Sequence, residues 1–459
     1  MSETHEPAPR AADPAPAHGT GPAPAASLTT PPRTPTRTPP HAPGSTPAAP
    51  PAAAHEQGAD GAAGEAGHDP ASRAGARSWL AVLSVAVGIF SVVTTEMLPV
   101  GLLTSIGSSL HVSDGTAGLA MTLPGLVAAV AAPLLAVLVG RLDRKYVLCA
   151  LMGLLAVANL VSALAPNFAV LLTARVLVGL SIGGVWSIAA GLAARLVPER
   201  SVAAATSVIF SGIAVASVLG VPVGTLIGDL ADWRAAFWVI AALALAVLAA
   251  MAVLLPPLPA TQPTSLREMP GLLRNPGLRI GLLVTGLLVT GHFGAYTYVR
   301  PVLEEVSGVG SGLISTLLLV YGVAGIAGNF LAGARAGRDP RGALMVLSAL
   351  LTTAVVLLAL VGGSTPGAAV LLVVWGLAYG GVSVSAQSWM FRAAPAAREV
   401  GSALFVSVFN LAIALGALLG GRAADGIAVS SVLWFGGVLA VLALANLWLL
   451  GKRVMPRQG

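Results

Sequence analysis

Residues 79–106 read WLAVLSVAVGIFSVVTTEMLPVGLLTSI, a run in which Glu96 is the one ionisable side chain. At about 1.5 Å per residue, an α-helix of this length crosses the roughly 30 Å of hydrocarbon in a bilayer. Eleven further apolar stretches follow, among them 116–139, 169–196, 280–303 and 398–420. The strands of a membrane barrel would be about ten residues of alternating polarity, whereas these stretches are continuous in Leu, Ala, Val and Gly. The sequence therefore predicts an all-α membrane protein of twelve transmembrane helices.

Composition points the same way. Hydrophobic residues make up 56% of the chain and charged residues 10%, with a mean hydropathy of +0.84, more apolar surface than a water-soluble domain can cover. An isoelectric point near 10.1 would suit a nucleic-acid partner if the basic residues formed one patch, but they fall in the loops between stretches. With the N-terminus inside, cytoplasmic segments hold Arg77, Arg144, Lys145, Arg195, Arg200, Arg274, Arg279, Arg338 and Arg341 among others, and only Arg234, Arg300 and Arg422 fall outside. The positive-inside rule then puts both termini in the cytoplasm of a multi-pass protein of the cytoplasmic membrane. The expected partners are the lipid bilayer, protons and a small-molecule substrate, with no nucleic acid, and a monomer is expected. One cysteine, Cys149, allows no internal disulfide, and no Cys/His spacing suggests a metal site.

Residues 1–77, rich in Pro, Ala, Thr and Gly, lack core-forming side chains and read as a disordered cytoplasmic tail. A polar, Pro-rich stretch at 256–279 reads as a central cytoplasmic loop between an N-terminal six-helix bundle, 78–255, and a C-terminal one, 280–451, with 452–459 a short cytoplasmic C-terminus. The loop after the second stretch, Gly140 to Lys145, is echoed after the eighth by Gly337 to Arg341. Two pseudo-symmetric halves of six helices are a plan used by transporters.

Within the stretches, polar residues are scarce enough to be informative. Glu96 is a lone intramembrane acid, a functional candidate by default: a carboxyl kept from water can load and release a proton when its neighbours change between two conformations. A structural hydrogen bond to another helix is the alternative. Pro99, three residues on, is expected to free a backbone carbonyl. Arg175 is the one cation well inside a stretch, at a depth comparable with Glu96, so the two can couple electrostatically, or Arg175 can tie helices together through carbonyls. His292, with Tyr296 and Tyr298, falls in the seventh stretch and offers hydrogen bonding to a substrate or titration near neutral pH. Trp186, Gln387, Trp389 and Asn410 can add stacking and hydrogen bonds to a planar solute. No Gly-x-x-x-x-Gly-Lys-Ser/Thr loop is present to cradle ATP. No cofactor is expected, and a proton gradient is the expected driving force. An integral membrane enzyme is the reading from another class, disfavoured because no nucleophile, base and orienting group can be named together.

Several strings carry a resemblance: Thr95-Glu96-Met97-Leu98-Pro99-Val100, Asp143-Arg144-Lys145-Tyr146-Val147, Arg195-Leu196-Val197-Pro198, Ser207-Val208-Ile209-Phe210, Asp232-Trp233-Arg234 and Thr297-Tyr298-Val299-Arg300-Pro301-Val302. With them, residues 79–451 resemble the major facilitator superfamily, in its twelve-helix drug:proton antiporter branch, and look most like bacterial purine ribonucleoside efflux pumps. The resemblance implies proton-coupled efflux by alternating access, of a purine nucleoside or base, with chloramphenicol-like drugs or sugars as alternatives. It also implies a proton-transfer role for Arg175, a latch between halves at Asp143, Arg144 and Lys145, and an exporter motif at Gly220, Pro222 and Gly224. The loop copy is shortened, lacking the Gly-Arg that usually follows Asp-Arg.

Overall fold

The computed structural model describes residues 75–138, 142–189, 191–259, 271, 273–395 and 398–451. The expected tail up to residue 74, Gly140 and Arg141 of the loop motif, most of the expected central loop and residues 452–459 lie outside the described residues.

Among the described residues, twelve helices are long and apolar enough to cross a membrane: α1 Ala76–Leu110, α2 Asp114–Leu135, α3 Arg144–Ala163, α4 Phe168–Ala189, α5 Glu199–Leu230, α6 Trp233–Leu254, α7 Pro276–Tyr296, α8 Ser311–Ala336, α9 Pro340–Val361, α10 Thr365–Ala393, α11 Leu404–Gly426 and α12 Ser431–Leu449. Their starts carry the expected caps. Asp143 accepts from the Lys145 N–H, Asn275 from Gly277 and Leu278, and Asp339 from Gly342, each side chain satisfying donors that a helix leaves open in its first turn.

Several ends differ from the expected ones, α4 stopping at Ala189 where the fourth stretch is expected to reach 196, and two irregularities have a local cause. The seventh helix, expected to reach residue 303, stops at Tyr296, with a turn at Thr297–Tyr298 before a short helical piece, Val299–Pro301, and a π-turn, Val302–Val306. Pro301 has no N–H for the Thr297 carbonyl, so an unbroken ladder through this point is not available. In α5 a π-turn at Ala216–Gly220 stands immediately before Pro222, a widening of the ladder of the kind found where a helix must be re-aimed.

Packing repeats between the first six helices and the last six. Helix α2 packs on α4 as α8 does on α10, α3 on α6 as α9 on α12, and α1 on α5 and α6 as α7 on α11 and α12. Between the two sets the principal contacts are α2 with α11 and α5 with α8, which the same repeat exchanges. Small residues allow both crossings: a Cβ on Gly125 of α2 would lie 3.0 Å from the Asn410 carbonyl oxygen, and one on Gly322 of α8 would lie 2.7 Å from the Val218 Cα. Close backbone approach of this kind is how helices associate where lipid competes for apolar contact.

Candidate functional site

Arg175 is fully buried on α4, and two prolines explain its partners. Pro99 cannot supply the N–H that the Thr95 carbonyl needs four residues back, and Pro124 likewise strips Ala120. Arg175 replaces both donors, its Nη2 donating to the Thr95 oxygen at 2.9 Å and its Nε to the Ala120 oxygen at 2.9 Å, with a further bond from Nη2 to the Glu96 carbonyl at 3.2 Å. The planar fork of the guanidinium suits this double task, which a point-charge ammonium would meet poorly. Arg175 therefore staples α1 and α2 to α4, and the carbonyl expected to be freed by Pro99 is already occupied. Its charge also lies close enough to act on Glu96, but among the described residues the two form no ion pair.

Glu96 itself is buried, 5% exposed, and its Oε1 has no hydrogen-bond partner. Beside it, the Thr95 hydroxyl donates to the Ser91 carbonyl at 2.7 Å and accepts from Asn159 Nδ2 of α3 at 3.1 Å, which holds the α1 backbone in place while leaving the carboxyl free. The Glu96 charge reaches the Tyr379 hydroxyl of α10, which is also buried and without a partner. Unsatisfied buried polar groups are few in native proteins, and two that act on each other electrostatically, one from the first six helices and one from the last six, mark a place where a proton or ligand can be received.

Tyr379 opens onto a cluster of rings. The His292 imidazole of α7 lies flat against the Tyr379 ring at 3.3 Å between centroids and 7° between planes, and stacks on Tyr296 at 5.0 Å. Phe293 and Trp375 meet the imidazole edge-on, and Tyr321 stacks on Tyr296 at 4.7 Å. The Trp375 Nε1–H donates to His292 Nδ1 at 3.0 Å. The sequence singles out His292 and Tyr296 but not Tyr321, Trp375 or Tyr379, since Tyr and Trp in apolar runs look like any packing residue. The chain has five tyrosines, and three of them converge here, a scarcity that is a signal only once α7, α8 and α10 are packed.

Other expected site residues sit elsewhere. Tyr298 is fully buried in the turn that follows α7 and donates its hydroxyl to the Ala417 carbonyl at 2.7 Å, outside the ring cluster. Trp389 gives its indole N–H to the Gly277 carbonyl at 2.8 Å, and Asn410 Nδ2 donates to Val406 O at 2.9 Å within its own helix. In both, a side-chain N–H is taken by a backbone carbonyl. Trp186 stacks on Phe210 at 6.5 Å, both half-buried against the apolar core of the first six helices. Gln387 is half-buried on α10 and joins none of these bonds.

The bonds described for the loop motif lie within the first six helices and their exit. Asp143 accepts from the Leu258 N–H at 3.0 Å as well as from Lys145, and the Arg144 N–H donates to the Leu258 carbonyl at 2.9 Å. Asp143 thus fastens the chain leaving α6 to the start of α3, and its partners among the described residues belong to the first six helices and their exit. Gly220 ends the π-turn of α5, where a Cβ on it would lie 2.9 Å from Thr94 Oγ1 of α1; Pro222 stands at the start of the α-helical piece that follows, and Gly224 packs against Leu98 of α1.

Among the described residues, hydrogen bonds and an ion pair that join the first six helices to the segments beyond α7 gather at one end. Arg300, 4% exposed, donates from Nη1 to the Gly101 carbonyl at 2.8 Å and from Nη2 to Asp229 at 2.9 Å, while its Nε pairs with Glu304 at 3.0 Å. Glu304 in turn accepts from Thr104 at 3.1 Å, and Asp425 accepts from Ser113 Oγ at 2.6 Å and from the Gly115 N–H at 2.9 Å. This end of the molecule is closed.

A twelve-helix bundle with a two-fold repeat in its packing, one end sealed by an ion pair and hydrogen bonds, and unpartnered polar groups in both halves, is built as a secondary transporter. The chain belongs to the major facilitator superfamily, whose family model matches residues 85–407. A similar protein of Pseudomonas aeruginosa, named "Transcription regulatory protein OpdE", is 37% identical over 352 residues, covering 76% of this chain and 88% of that protein. The fold is similar to that of a bacterial homologue of the human lysosomal transporter Spinster in an inward-facing, occupied conformation, with a TM-score of 0.66 at 15% identity over 82% of this chain and 97% of that one. It is similar also to the human organic anion transporter MFSD10 (TETRAN), with a TM-score of 0.59 at 20% identity over 81% and 99% of the two chains. At these identities the solved structures speak to fold, and the chain is a transporter rather than an enzyme.

Proposed function

We propose that this protein exports a small planar solute, a purine nucleoside or base, across the cytoplasmic membrane in exchange for protons. The observation that carries the reading is the unpartnered, buried Glu96 carboxyl oxygen, whose charge acts on the unpartnered Tyr379 hydroxyl at the edge of the ring cluster. A carboxyl with no fixed partner, buried where water is scarce, can exchange a proton as its surroundings change. The rings beside it supply flat faces for stacking and, through His292, a hydrogen-bonding edge, which suits a nitrogen heterocycle.

In this reading the halves at 78–255 and 280–451 rock about the α2–α11 and α5–α8 crossings. Protonation of Glu96 favours one orientation and substrate the other, since a ligand shifts such an equilibrium only by binding the two states unequally. The Arg asymmetry of the loops supports placing the closed end, with Asp229, Glu304 and Asp425, outside and both termini in the cytoplasm. Export rather than import rests on the resemblance of Gly220, Pro222 and Gly224 to the exporter motif.

The test is uptake of labelled adenosine and hypoxanthine into inverted vesicles under an imposed proton gradient. Wild type should accumulate label. Glu96→Gln, which keeps the shape and a hydrogen bond but carries no proton, should lose gradient-driven uptake and retain substrate exchange. Undiminished gradient-driven uptake by Glu96→Gln at wild-type abundance would remove Glu96 from the proton path.

A further inference from the structure

The contact between Trp375 and His292 constrains the histidine more than its burial alone. An indole N–H is a donor with no acceptor capacity, so the His292 Nδ1 that receives it at 3.0 Å must carry a lone pair rather than a proton. A neutral imidazole then holds its proton on Nε2. A histidinium would carry protons on both nitrogens, and at this site one of them would point into the indole N–H. Charging His292 therefore requires Trp375 to move, and Trp375 is fully buried.

No neighbour compensates such a charge. The groups facing the imidazole are Tyr296 and Phe293 from its own helix, Tyr321 from α8, and Trp375 and Tyr379 from α10. From α1, the Glu96 charge reaches Tyr379, and among the described residues no ion pair involves His292. On its free side, Nε2 makes no hydrogen bond with a described residue, so its proton is available to a ligand lying along the stack.

We propose that Trp375 is a positioning residue that locks His292 in its neutral Nε2–H form, which makes His292 a fixed hydrogen-bond donor and keeps it out of the proton path. The consequence for selectivity rests on reading the ring cluster as the substrate site. A solute there must present an acceptor, a ring nitrogen or carbonyl oxygen, to the histidine, and its own donors are left to face the Glu96 side. The tautomer does not depend on that reading.

The experiment is nitrogen and carbon NMR of the full chain, labelled at histidine and reconstituted in lipid nanodiscs, with the His292 signals assigned by their loss in His292→Asn. Wild type should show an unprotonated Nδ1 and a protonated Nε2 throughout the range of about pH 5 to 8 in which histidines ordinarily charge. Trp375→Phe should release the lock, giving a mixture of tautomers or a titration approaching the free value of about 6.5. Tyr379→Phe, which leaves the indole bond in place, should keep the wild-type spectrum. A wild-type His292 with its proton on Nδ1, or doubly protonated within that range, overturns the proposal, and so does a Trp375→Phe spectrum identical to wild type. If Trp375→Phe fails to fold, the wild-type spectrum still decides the tautomer. Failure of labelled adenosine to be transported would remove the substrate reading and leave the NMR result standing, so the two are separable.

Discussion

The sealed end offers the most quantitative test. Arg300 makes two bonds to the first six helices, to the Gly101 carbonyl at 2.8 Å and to Asp229 at 2.9 Å, and one within its own segment, to Glu304. Only the first two oppose separation of the halves. A hydrogen bond to a charged group is worth about 1.5–3 kcal/mol net, and the side chain of Asp229 is 21% exposed, which argues for the lower value. Arg300→Gln should thus weaken the closed state by about 3 kcal/mol, a shift of roughly a hundredfold in the closed-to-open ratio at about 1.4 kcal/mol per factor of ten. Asp229 and Glu304, left without their shared cation, would repel and add in the same direction. Spin labels at Ser108→Cys and Gly312→Cys, both exposed near this end, placed in a Cys149→Ser background, report the opening by pulsed electron resonance in nanodiscs. The Arg300→Gln protein should show a new, longer distance population. A distribution indistinguishable from wild type would mean that the apolar crossings, and not this ion-pair network, hold the end shut.

Arg175→Lys should destabilise the protein and impair transport even though charge is kept, because an ammonium cannot serve the Thr95 and Ala120 carbonyls in the geometry of the fork; a loss of about 2–4 kcal/mol in denaturant stability is expected for the bonds forfeited, and a stability equal to wild type would refute the staple. Restoring a donor with Pro124→Ala should soften the effect of Arg175→Lys, a coupling measurable as a double-mutant cycle. Gly322→Ala places a Cβ 2.7 Å from the Val218 Cα, against backbone that cannot swing aside, so it should reduce transport and broaden the same spin-label distances while the abundance of the protein stays near normal. Reporter fusions after Arg200, Arg341 and Arg457 should read cytoplasmic and fusions near Asp114, Asp232 and Asp425 external; an opposite pattern would invert the proposed assignment of the closed end.

The apolar runs determined much of this molecule before any packing was known. A chain with 10% charged residues and runs of membrane length has few ways to satisfy its backbone other than spanning helices, so the twelve helices, their order and most of their starts come from local sequence. The singular status of Glu96 and Arg175 was equally legible, because an ionisable side chain in hydrocarbon is expensive enough to be conspicuous. Even the task of Arg175 was written locally, in Pro99 and Pro124, whose missing N–H groups strip carbonyls four residues back; local sequence lacked only the knowledge that one guanidinium reaches both.

Tertiary structure alone decided which residues meet. His292, Tyr321, Trp375 and Tyr379 lie on three helices spread over 88 residues of chain, and no periodicity within a run says that their rings share one stack. Nor could spacing tell Tyr296 from Tyr298: they are two residues apart, yet the turn at Thr297 and Tyr298 sends the first to the stack and the second to the Ala417 carbonyl. The partner of Arg300 was likewise hidden, because an ion pair depends on where two helix ends arrive in space. Hydrophobicity is read residue by residue and survives in the sequence, whereas hydrogen-bond partnership is a property of pairs and exists only once the helices are packed.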